Sequence, residues 1–174
     1  RDGTTGSTLW SVTTTNTGGS TAGSARALAL AGNTLYVGGQ FTNIAGASRL
    51  NLAALNATPG AVLPWNSSVT GTVNAVSISG NVVYVGGSIT GAGGQPRLNL
   101  AALDATTGNA LPGFRAAAAK AVSTLAVSSD LLYAGCISSG ADSVGGETAT
   151  PNNTLESARP RASAWKTRLS TLGL

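Results

Sequence analysis

Histidine and methionine are absent from the 174 residues, and cysteine occurs once, at Cys136. Without histidine the chain lacks the usual general base of neutral pH and the commonest metal ligand. With one cysteine it closes no internal disulfide and builds no thiolate cage. Carboxylates are scarce as well: Asp2, Asp104, Asp130, Asp142, Glu147 and Glu156 are all of them. Charged residues make up 9% of the chain, against about a quarter in ordinary domains. Catalysis needs ionisable groups converging on one place, and this inventory is thin for it. We therefore expect no catalytic residue, no metal site and no cofactor. No apolar run reaches the roughly 18 residues of a membrane span. The opening RDGTTGSTLW lacks the charged start and apolar stretch of a signal peptide, which suggests a chain cut from something longer.

The net charge is +4, and the cations are scattered until Arg159, Arg161, Lys166 and Arg168. No basic stripe is interleaved with aromatic residues, so a nucleic-acid partner is not expected.

What the chain has in abundance is small residues and self-similarity. RLNLAAL stands at 49–55 and again at 97–103. Shifting the sequence by 48 lays residues 25–72 over 73–120 with 21 identical positions, the mark of a duplicated structural unit. A third copy starts with an inserted residue at Ala121 and places Tyr133 over Tyr84 and Tyr36. DGTTGSTL at 2–9 echoes DATTGNAL at 104–111. The expected division is the end of a preceding unit at 1–24, units at 25–72 and 73–120, the start of another at 121–147, and a divergent tail at 148–174. The tail is read as truncated, out of frame or a cap; the third and fourth strands of its unit have no counterpart in it, and TLESARPRASAWKTRLSTL suggests a short helix broken at Pro160.

Within a unit the pattern is that of strands. VNAVSISG alternates with period two, setting Asn74, Val76 and Ile78 on one face. Gly32 with Asn33, and Gly80 with Asn81, mark tight hairpin turns. The next strand carries Gly38 and Gly39, or Gly86 and Gly87, where a neighbouring backbone approaches or a bulge forms. After RLNLAAL as a third strand, Asn56 or Asp104 opens a turn that Gly60 or Gly108 closes. A short fourth strand holds Pro64 or Pro112 and fits only an outer edge. Such units cannot bury their faces alone, and the expected fold is all-β: a β-propeller fragment of about three four-stranded antiparallel blades.

LYVGGQFTNIAGASRLNLAALNATPGAVLPW and VYVGGSITGAGGQPRLNLAALDATTGNALPGF resemble the delta-60 propeller repeats of secreted and cell-surface bacterial proteins. Similar units occur in fungal cortical-marker ectodomains, and the Tyr-x-Gly-Gly strand is similar to that of kelch blades. The resemblance implies a noncatalytic module outside the cell, serving binding, adhesion or scaffolding toward a protein or glycan. It transfers no catalytic residue. The alternative is a fragment of a propeller enzyme such as a quinoprotein dehydrogenase, whose blades carry a turn like LDATTG.

Four residues are candidates for binding. Arg49 and Arg97 could recognise carboxylate or phosphate, or else bond loop carbonyls between blades. Trp65 and Phe114 could meet sugar or protein from an outer position. Open blade edges are expected to favour association between copies.

Overall fold

The computed structural model describes residues 4, 8, 10–16, 22–128 and 131–136, and the backbone of strands at 146–149, 155–158 and 164–168. The turn at 129–130 and the glycine loop at 138–145 lie outside the described residues, as do the side chains of the basic cluster from 159 to 168.

In chain order the strands are β1 (Thr14–Thr15), β2 (Ser24–Ala31), β3 (Thr34–Gln40), β4 (Asn43–Ile44), β5 (Ala47–Ser48), β6 (Leu52–Asn56), β7 (Thr70–Ser79), β8 (Val82–Ala92), β9 (Gln95–Pro96), β10 (Leu100–Asp104), β11 (Val122–Ser128), β12 (Leu131–Cys136), β13 (Gly146–Ala149), β14 (Leu155–Ala158) and β15 (Ala164–Arg168). No helix occurs among the described residues, and none is long and apolar enough to cross a membrane. The fold is all-β, built as antiparallel sheets repeated along the chain.

Each unit is a meander. β2, β3 and β6 form the first sheet, and β7, β8 and β10 form the second with matching register: Tyr36 lies opposite Ala54 as Tyr84 lies opposite Ala102. The fourth strand shrinks to one bridge per unit, Leu55 with Val62 and Leu103 with Ala110, because the proline two residues later has no N–H to extend a ladder. In the third sheet β15 pairs with β12 where a third strand is expected. The tail thus forms strands, β14 and β15, in the stretch whose sequence suggested a helix.

The hairpin turns show how the Gly-Asn pair divides its work. Gly32 and Gly80 take φ of 56° and 54°, and the asparagines do not enter the left-handed region. Positive φ at the first central residue alone is the type II′ pattern, which matches the twist of the flanking strands. Asn33 instead uses its amide on Asn56 Oδ1 at 3.1 Å, and Asn81 on Asp104 Oδ2 at 3.0 Å.

All three first strands carry a bulge at the same place, where Arg26, Asn74 and Ser123 stand outside the ladder. The bulge breaks the simple alternation of VNAVSISG. Val73 and Val76, three apart, both press on Gly38 of the preceding sheet, and Val122 and Leu125 do the same on Gly86. A Cβ on Gly39 or Gly87 would collide with the carbonyl of Ser24 or Thr72 within the bulge. Cys136 stands at the equivalent position, opposite Val122 beside the third bulge.

Burial follows the stacking of sheets. One core, with Tyr36, Trp65, Val73 and Leu103, lies between the first and second sheets. Another, with Tyr84, Phe114, Val122 and Leu132, lies between the second and third. A smaller cluster around Val37, Phe41 and Ile44 takes up Val12 from the preceding segment. β8 is buried over its first six residues, as a strand covered on both faces must be.

Candidate functional site

The seven repeated residues do not all lie in a strand. Arg49, Leu50 and Asn51 form a loop ahead of β6, and Arg97, Leu98 and Asn99 form one ahead of β10. Asn51 and Asn99 both sit at φ 60°, a region that asparagine tolerates better than most residues. The Asn51 amide is buried, at 7% exposure; it accepts from the Phe41 N–H at 3.0 Å and donates to the Val69 carbonyl at 2.8 Å. Asn99 donates likewise to the Ala118 carbonyl at 2.9 Å. Each asparagine therefore ties its blade to the segment leading into the next. The sequence held the signal, an invariant Asn before an apolar strand, but period-two reading assigned it to the strand.

The arginines bond inside their own blade rather than between blades. Arg49 donates to the carbonyls of Ser48 and Leu63, each at 2.8 Å. Arg97 donates to Pro96 at 2.9 Å and to Leu111 at 3.3 Å. In both, the Nε is buried and meets no partner among the described residues.

Trp65 and Phe114 are core residues, exposed by 8% and 1%, so neither ring is open to a sugar or a partner. Trp65 packs edge-on to Tyr36 at 5.1 Å between centroids, and Phe114 packs on Tyr84 at 5.9 Å. Burial pushes the Tyr84 hydroxyl up to about 12. Trp65 and Phe114 are thus structural equivalents 49 apart, whereas Leu63 and Leu111 are 48 apart. The inserted residue falls at Gly113, in a turn where Phe114 N–H donates to the Leu111 carbonyl, and not at Ala121.

Two further polar places stand out among the described residues. Along the first strands, the Arg26 guanidinium donates to Asn74 Oδ1 at 3.3 Å and to Gln40 Oε1 at 3.5 Å, and the Asn74 amide donates to the Val122 carbonyl at 3.1 Å. The bulge residues thereby link the three sheets. The second place is a cleft of about 230 Å³ lined by Gln95, Arg97, Ala110, Pro112 and Arg115. Burial, and then the charge of Arg115, hold the Arg97 guanidinium below its ordinary value. Asp104 lies at the far end of β10, its carboxylate accepting the Thr106 and Thr107 N–H groups at 2.9 and 2.7 Å. No group of three or more His, Cys, Asp or Glu side chains close enough to hold a metal occurs among the described residues.

No curated protein matches the chain. Among solved structures, the computationally designed Ika8 protein aligns with 16% identity and a TM-score of 0.39 over 67% of this chain. This chain spans 43% of the Ika8 chain. The computationally designed Ika4 protein aligns with 14% identity and a TM-score of 0.36, covering 90% of this chain and 99% of that one. The family model PQQ_2, described as outer membrane protein assembly factor BamB, matches residues 1–148, and the chain belongs to that β-propeller-type repeat family.

Proposed function

We propose that this chain is a noncatalytic β-propeller module of a bacterial cell-surface or secreted protein, serving binding, adhesion or scaffolding toward a protein or glycan. One observation supports the reading most. Two of the polar pairs identical in both full repeats, Arg49 with Arg97 and Asn51 with Asn99, spend hydrogen bonds on the chain's own carbonyls. Gln95 and Arg115 differ from their counterparts and face an open cleft. In these pairs the shared side chains hold the blade while the differing ones meet solvent, a division that suits a scaffold carrying a recognition surface. The resemblance to delta-60 repeats supports the location outside the cell. The test is a glycan array and a pull-down with bacterial surface polymers using the purified chain. Saturable binding without turnover is the expected result; failure to bind any of them would sink the reading.

Association between copies belongs to the same proposal. Leu28 and Leu30 are 65% and 64% exposed, while their counterparts Val76 and Ile78 pack against the preceding sheet. A second copy would cover them, and light scattering showing a stable monomer at micromolar concentration counts against this.

The second reading, a piece of a quinoprotein dehydrogenase, draws on the short name of the matching family. The side chains that converge across sheets, Arg26, Gln40 and Asn74, include no carboxylate to act as a base. Dye reduction that depends on added quinone would favour this reading over the first.

A further inference from the structure

The two full repeats give an internal comparison at the cleft on the second blade. Its five lining residues have counterparts in the first blade: Gln95 replaces Ala47, Arg97 matches Arg49, Ala110 replaces Val62, Pro112 matches Pro64 and, past the insertion at Gly113, Arg115 replaces Asn66. The bridges of Val62 and Ala110 fix this correspondence, as do the shared carbonyl bonds of the two arginines. The first blade therefore surrounds its structural arginine with Ala, Val, Pro and Asn. Asn66 turns its carbonyl oxygen to Ser68, which donates from N–H at 3.3 Å and from the hydroxyl at 3.4 Å. The second blade has exchanged a methyl for an amide and a locally bonded amide for a guanidinium, with Gly113 inserted between them, while keeping the arginine's bonds to the equivalent carbonyls.

The exchange brings two guanidiniums together with no carboxylate in the cleft lining. Placing like charges side by side costs stability, and nothing in the packing of the blade needs Arg115, which is exposed and bonds to no described residue. Arg97 is anchored by the carbonyls of Pro96 and Leu111, so its head group is held in place before any ligand arrives.

We infer that this cleft binds the carboxylate of a single acidic sugar residue, a uronate, projecting from a glycan. The inference rests on the reading of the chain as a binding module and names the ligand of its recognition surface. A planar carboxylate accepts from forked guanidinium donors, which Arg115 supplies, while Arg97, with its Nε buried and both Nη atoms on backbone carbonyls, adds a fixed positive charge beside it. The Gln95 amide offers both a donor and an acceptor, as ring hydroxyls require. Pro112 and Ala110 provide the apolar wall for the C–H face of the ring. The cleft, at about 230 Å³, is smaller than the roughly 300–1,000 Å³ that encloses a drug-sized molecule. It has room for one small ring at the edge of a polymer.

The experiment is an amide NMR titration of the isotope-labelled full chain with sodium glucuronate, with glucose and inorganic phosphate as parallel arms. Two variants carry the residues that the first blade already accommodates, Arg115→Asn and Gln95→Ala, so the fold is not at risk. Glucuronate is expected to shift the amides of Gln95, Arg97 and Arg115 saturably. Arg115→Asn should weaken it by about tenfold or more, the loss of one charge-assisted contact. Equal shifts with glucose, stronger shifts with phosphate, or an unchanged affinity in Arg115→Asn would each overturn the inference. The glycan array run on Arg115→Asn separates this failure from that of the wider reading. Glycan binding that survives in the variant removes the cleft but keeps the module, whereas no binding by either protein removes both.

Discussion

The indole N–H of Trp65 donates to the backbone carbonyl of Asp104 at 3.1 Å, from one blade to the turn of the next. Trp10 makes the same kind of bond one blade earlier, to the Ala57 carbonyl at 2.8 Å. Phe114 holds the equivalent place on the second blade with no N–H to give. Ring packing and hydrogen bond are thus separable, and the chain itself shows the substitution. Trp65→Phe should cost about 1 kcal/mol, the net value of one bond, whereas Trp65→Ala should cost about 3–5 kcal/mol by emptying a core position. Urea midpoints of the full chain measure both. Equal losses would mean that the bond, not the ring, holds the blades together.

Asn51 combines a left-handed backbone with a buried amide that has two partners. Asn51→Ala loses both bonds, leaves the Phe41 N–H and Val69 carbonyl without them, and meets a left-handed backbone that alanine tolerates less well than asparagine or glycine. A loss of about 2–4 kcal/mol follows from unsatisfied groups and strain together. Asn51→Gly relieves the strain but not the missing bonds, so it should fall between alanine and the natural residue. Thermal melts of the three proteins check the order; alanine as stable as glycine would refute the contribution of φ.

The architecture was legible because a 48-residue repeat and strand periodicity are both local patterns, and the glycine pairs sit in them at fixed places. The candidate site was less so. Trp65 and Phe114 look like surface aromatics beside prolines, and only the three-dimensional equivalence of positions 49 apart shows that they fill the same core pocket. A sliding comparison at one spacing cannot locate the insertion at Gly113 when the residues after it are all small or variable. Arg97 was visible in the sequence but Arg115 was not, because it lies 18 residues on and becomes a neighbour only when the segment after β10 folds back. The bulges at Arg26, Asn74 and Ser123 leave no sequence mark beyond the glycine opposite, which is why the alternation of VNAVSISG counted Asn74 as a regular member of the face of Val76 and Ile78.

Gly38 and Val73 meet closely between the first two sheets, where a Cβ at Gly38 would overlap Val73 Cγ1. Valine is branched at Cβ and has little freedom to turn aside. Gly38→Ala should therefore cost about 1–3 kcal/mol, as overpacking does. If the contact with Val73 is the cause, Val73→Ala added to Gly38→Ala should be less damaging than the sum of the two single changes, with a coupling of about 0.5–3 kcal/mol. A double-mutant cycle by urea denaturation gives the number, and strict additivity would place the strain elsewhere.

Asp104 gives the fold a dependence on acid that its counterpart Asn56 cannot. The Thr107 N–H above all holds the carboxyl below its ordinary value of 3.8; burial opposes it, and the Thr106 N–H and the Thr107 hydroxyl add to the lowering. A group whose folded pKa is depressed stabilises the fold above its unfolded value, and this contribution disappears as pH falls through the folded one. Asp104→Asn keeps an acceptor for the turn, as Asn56 shows by taking the Thr58 N–H at 3.0 Å, but removes the titration. The stability difference between the natural protein and Asp104→Asn should be constant at neutral pH and shrink below about pH 3.8. Tyr36 offers a second readout: its hydroxyl is held above 10.0 by burial first and by the Asp104 charge second, so it should titrate earlier in the variant. Parallel stability curves down to the acid limit, together with an unmoved Tyr36 ring shift in an alkaline NMR titration, would show that the Asp104 charge acts on neither.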